Sequence, residues 1–186
     1  MLLNKRSGFT AERMAYIALL TALQVVLGNV VQIHMVSKQF NLGFLPIAIA
    51  GAAFGPVEAL IVGALGDVIG VICFPVGAYF PGYTLTNVLV GLLYGFLLYE
   101  RRPDFLRGVI AVTLASVVYL FLNSYWLSIT YTRNTYWGWV GSRFWTYLIE
   151  IPLQSTVLYF SLKLFERVKI PALAAIWKQR EDAGKQ

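Results

Sequence analysis

The feature that most limits what this chain can fold into is its alternation of long uncharged apolar runs with short segments that hold most of its Lys and Arg residues. In hydrocarbon an open backbone group finds no partner, so a spanning segment must be helical or part of a closed barrel. About 20 apolar residues in a helix match the bilayer core. Of the 186 residues 58% are hydrophobic and 13% charged, against roughly 25% charged in soluble domains. After six such spans only short loops remain, so one membrane domain over residues 1–186 is expected, without a separate soluble one.

Lys5 and Arg6 before an apolar run imitate a signal peptide. The run from Met14 to Val31 is longer than an h-region and lacks a small-residue cleavage site, which makes it a retained first span at about 11–31. A polar segment from Gln32 to Asn41 follows. The apolar stretch Leu42 to Phe74 is too long for one span and is interrupted by Gly55-Pro56, with Glu58 just beyond. Glycine closes helices, proline opens them and an acidic residue suits the first turn, so spans at about 42–55 and 56–73 are predicted. A loop from about Cys73 to Pro81 leads to spans at about 82–99, 108–130 and 141–165, the last kinked at Pro152.

Reading 42–73 as two crossings places Arg101, Arg102 and Arg107 on the same side as the basic tail 169–186. Twelve of the fifteen Lys and Arg residues then lie inside, and Lys38, Arg133 and Arg143 lie at or near the outer side. The expected fold is an all-α integral membrane protein, a six-transmembrane-helix bundle with both termini cytoplasmic. A short interfacial helix is expected from Pro171 to Arg180. No internal repeat is visible, which counts against an inverted-repeat carrier.

The formal charge of +6 does not point to nucleic acid, because the cations flank apolar runs instead of forming a stripe. Cys73 is the single cysteine and His34 the single histidine, so neither a disulfide nor a Cys/His metal cluster is expected. A Gly-rich phosphate loop, Gly-x-Ser-x-Gly and His-Glu-x-x-His are all missing. The chain is expected to be no enzyme and to carry neither cofactor nor metal.

Charges inside a membrane cost about 2.5–3.5 kcal/mol on insertion scales, so such residues are functional candidates. Three qualify: Asp67 beside Gly66 and Gly70, and Arg143 and Glu150, seven residues apart on one face of the sixth helix, with Gln154 continuing that face. Their alternative role is to pair with each other or with neighbouring helices. The outer end is rich in aromatics, from Phe74 to Tyr83 and from Tyr125-Trp126 to Trp145. An interfacial belt explains part of this, but belts occur at both faces. A mouth of rings, amides and a few cations suits a planar heterocycle with an anionic group. In the first helix Ala11, Ala15, Ala18 and Ala22 make a small-residue stripe, for a partner helix or for internal packing.

The segments Ala18-Leu-Leu-Thr-Ala22, LPIAIAGAAFGP, GALGDVIG, YFPGYTLTNVLVGLLYG and FLNSYWLSITY resemble an S component, the substrate-binding subunit of an energy-coupling factor (ECF) vitamin transporter. The similarity is greatest to the folate-specific members, and Phe80–Gly95 is its most specific part. Tyr83 stands where the folate type has Phe, and Thr132 where it has Gly, which leaves hydroxymethylpyrimidine and pantothenate as alternative ligands. The resemblance implies a six-helix bundle in a prokaryotic plasma membrane that binds its vitamin from outside. It further implies a complex with an EcfT-type transmembrane coupling subunit and two cytosolic ATPases, the first contacted through Ala18 and Ala22. A self-sufficient small carrier is the alternative from another class.

A pterin offers a flat face for stacking and an edge of hydrogen-bonding groups. Trp126, Tyr79, Phe80 and Tyr83 are candidates for the face, and Asn123, Asn87, Asp67 and Glu150 for the edge. An anionic tail would lie nearer water, where Arg133, Lys38 and Arg143 are the cations at hand.

Overall fold

The computed structural model describes residues 11–30, 32–34, 39–75, 79–101, 103–131 and 134–167. Six helices follow one another: α1 (Ala11–Asn29), α2 (Phe44–Ala53), α3 (Pro56–Cys73), α4 (Pro81–Leu98), α5 (Phe105–Thr130) and α6 (Tyr136–Arg167). Between α1 and α2 lie two short strands, β1 (Gln32–His34) and β2 (Gln39–Asn41). They pair antiparallel with Ile33 opposite Phe40. The architecture is the expected all-helical one of six helices, to which the polar segment after the first helix adds a ladder closed on itself. Lys38, Arg133, Arg102, Thr132 and the tail with its expected helix lie outside the described residues.

Four helices are long and apolar enough to cross a bilayer: Pro56–Cys73, Pro81–Leu98, Phe105–Thr130 and Tyr136–Phe165. The first expected span has its apolar part at Arg13–Asn29, and the second is only the ten residues of α2. Ten helical residues rise about 15 Å, half of the ~30 Å core. The sixth helix begins at Tyr136, five residues before the expected start, so the aromatic stretch before Gly141 is helical. Pro152 lies inside a helix that runs through to Arg167.

The break between α2 and α3 has the form read from Gly55-Pro56. Gly55 has φ +115°, a backbone region open to glycine, and Pro56 occupies the first helical turn. Here Arg13 of α1 reaches Glu58 of α3, with Nη2 to Oε1 at 3.4 Å, and Arg13 lies over the Phe54 ring. In the sequence Glu58 marks only a helix start. Sequence spacing could not reveal that a short α2 folds α3 back onto α1.

Helices α3 and α4 meet backbone to backbone. A Cβ on Gly63 would lie 2.7 Å from the Asn87 carbonyl oxygen, and one on Gly91 2.7 Å from that of Ala59. This approach positions the polar residues of the two helices within hydrogen-bonding reach. Below it the core of Ile47, Val62, Val90, Tyr94, Val112 and Leu158 is fully enclosed. Large apolar side chains such as Ile72, Phe96, Leu106, Ile149 and Phe160 point outward, as lipid-facing positions do.

Candidate functional site

The C-terminal end of α3, the N-terminal end of α4, the C-terminal half of α5 and the start of α6 share one end of the bundle. The motif from Phe80 to Asn87 opens α4 there, and its order follows from Pro81 at the first helical position after extended Phe80. Asp67 of α3 accepts hydrogen bonds from Thr84 Oγ1 at 2.6 Å and Asn87 Nδ2 at 2.9 Å. The Asn87 amide oxygen in turn accepts from the Tyr119 hydroxyl of α5 at 2.7 Å. Thr84 Oγ1 lies 3.0 Å from the Tyr79 hydroxyl. Its one proton goes to Asp67, so the tyrosine donates here. An unbroken polar chain thus links Tyr79, Thr84, Asp67, Asn87 and Tyr119 across three helices and the loop before α4.

Above this chain the aromatic rings assemble. Trp126 donates its indole N–H to Thr86 Oγ1 at 3.0 Å, and Thr86 donates to the Gly82 carbonyl. The Phe80 ring sits 5.6 Å from Trp126 and 6.1 Å from Tyr83. Gly82 is the floor of this cluster: a Cβ there would meet Phe80 at 2.5 Å and Trp126 at 2.6 Å. Tyr83 lies beside Thr130 and in the field of Arg143. Tyr147, one turn below Arg143 on α6, lies near Arg143, Glu150 and Tyr119 of α5. Glu150 is 2% exposed. The α6 face read from the sequence therefore turns toward the polar chain of α3, α4 and α5.

Among the described residues, several polar atoms here are buried without a hydrogen-bond partner: Asn123 Oδ1, Ser124 Oγ, Trp139 Nε1, and Nε and Nη1 of Arg143. Unfilled buried groups are destabilising in an empty protein and are candidates for pairing with a ligand. Of the expected site residues, Tyr79, Phe80, Tyr83, Asn87, Asp67 and Trp126 stand in one connected cluster. Asn123 and Arg143 supply unfilled groups, while Lys38 and Arg133 fall outside the described residues. Thr84, Thr86, Tyr119 and Trp139 were missed. Helical spacing does put Thr84 and Asn87 on one face of α4, a signal that hydroxyls in apolar company had obscured.

At the opposite end a cavity of about 20 Å³ is lined by Leu98, Arg101, Asp104, Arg107, Leu162 and Phe165 among others. That is room for a water. On α1 the side chains of Ala11, Ala15, Ala18 and Ala22 are all exposed, whereas Ile17, Leu20, Thr21 and Val25 are buried. The alanine stripe therefore faces away from the protein's own helices.

Residues 12–162 match the family model of the ECF transporter substrate-specific component. A folate transporter FolT of Clostridium novyi is 34% identical over 162 residues, covering 84% of this chain and 91% of the relative. Another, of Leuconostoc mesenteroides, is 28% identical over 74% of this chain and 83% of the relative. A crystal structure of FolT bound with folic acid aligns with TM-score 0.76 at 29% identity, covering 83% of this chain and 94% of that one. With the family model matching most of its length, the chain belongs to the family of substrate-specific components of ECF transporters.

Proposed function

We propose that this chain captures folate at the aromatic end of its bundle and delivers it to an ATP-driven module. The observation that carries the reading is the likeness, over 83% of the chain, to a FolT structure bound with folic acid. The site's chemistry supports it: rings of Phe80, Tyr83 and Trp126 for a flat heterocycle, an unfilled Asn123 acceptor for its edge, and Arg143 for an anionic group. Both termini lie in the cytoplasm in this reading, with the basic turn at Arg101 and Arg107. The EcfT-type coupling subunit packs against the exposed Ala18 and Ala22 stripe, and two cytosolic ATPases supply hydrolysis. The membrane is a prokaryotic plasma membrane, spanned several times by one domain.

Titration of the purified chain with folic acid tests the ligand, with hydroxymethylpyrimidine and pantothenate as competitors. Tight binding of folic acid alone is expected, without uptake by vesicles that hold only this chain. Tight binding of a competitor in its place would reassign the vitamin. As a second measure, Asn123→Ala and Trp126→Ala should weaken folic acid and tail-less pteroic acid alike. Arg143→Gln, and replacement of Arg133 or Lys38, should weaken only the tailed ligand, by about 1–3 kcal/mol for a lost charged hydrogen bond. Equal effects on both ligands from every variant would rule out this orientation.

A further inference from the structure

Helix α1 turns one polar residue inward that the cluster described above does not use. Gln24 is 7% exposed, and among the described residues its Oε1 has no hydrogen-bond partner. Its amide lies against Gly66 of α3, where a Cβ would come within 1.1 Å of that oxygen. Glycine at 66 leaves the room that the amide fills, and the next residue, Asp67, begins the polar chain to α4 and α5. A second carboxamide with an unfilled oxygen, Asn123, stands on α5 one turn above Tyr119. Two amides whose oxygens are buried with open acceptors, on either side of the polar chain in sequence terms, are candidates for pairing with a polar group brought by a ligand.

We propose that Gln24 reads the polar edge of the bound ring. A carboxamide presents an acceptor and a donor side by side, the complement of the N–H and C=O of a cyclic amide. A pterin ring has such an edge, so the inference rests on the folate reading and adds α1 to its site. The same helix turns Ala18 and Ala22 outward. Ligand and partner subunit thus meet opposite faces of one helix.

The test is Gln24→Leu in the full-length chain, purified and titrated with folic acid and with pteroic acid. Both affinities should fall about tenfold or more, with their ratio unchanged. The empty variant should melt at or above the wild-type temperature, because leucine fills a similar volume without an orphaned oxygen. A lower melting temperature of the empty protein with both affinities intact would make Gln24 a structural residue and overturn the proposal. Gly66→Ala displaces the amide, so it should reproduce the loss in the wild-type background and add nothing to Gln24→Ala. An undiminished further loss in that double variant would also overturn it. Failure of the unmodified chain to bind folic acid would remove the folate reading, and this inference with it.

Discussion

Thr86 shows how one hydroxyl sets a recognition surface. It accepts from the Trp126 indole and donates to the Gly82 carbonyl, so it holds the largest ring of the cluster over the start of α4. Valine at this position keeps the shape and removes both bonds. Thr86→Val is expected to leave the buried indole N–H unfilled, at a cost of about 1–3 kcal/mol. A lower melting temperature and weaker folic acid binding would both follow, and calorimetry with ligand titration reads them separately. Unchanged binding in a destabilised variant would separate the Trp126 ring from the ligand. Trp126 and Phe80 were legible in the sequence because aromatics crowd one end of the chain. Thr86 was not, since a threonine inside an apolar helix is usually back-bonded to its own turn.

At the scale of elements, α1 has two faces with different duties. Its buried side carries Ile17, Leu20, Thr21, Gln24 and Val25, and its outward side carries the four alanines. Association of helices in lipid rests on close van der Waals approach, which small residues permit. Replacing Ala18 and Ala22 together by Phe is therefore expected to abolish uptake by the assembled transporter. Folic acid binding by the isolated chain should change less than about twofold, since the substitutions point away from the site. Uptake at the original rate would remove the stripe from the coupling interface. The spacing of four, three and four was readable from the sequence. That the stripe faces outward depends on how α2 and α3 pack against the opposite side of α1, and no periodicity carries that.

For the whole molecule, the topology proposed from the charge bias puts Asp104 inside with both termini. A cysteine at Asp104, in a chain whose Cys73 is replaced by Ala, should react with an impermeant maleimide only after the cells are permeabilised. Labelling of intact cells would invert the topology. The apolar runs, their length and the placement of Lys and Arg determined by themselves that the chain is a helical membrane protein, because lipid admits few other solutions. The break at Gly55-Pro56 was equally plain, being dictated by local backbone geometry. What only the tertiary structure decided is which residues meet. The Arg13–Glu58 pair and the β1–β2 hairpin were not separable from ordinary loop and span signals. Asp67, an intramembrane charge and candidate ligand contact in the sequence, is the centre of a chain from Tyr79 to Tyr119. That chain exists because Gly63 and Gly91 let α3 and α4 approach to backbone contact, and such an approach joins residues distant in sequence whose pairing local patterns do not encode.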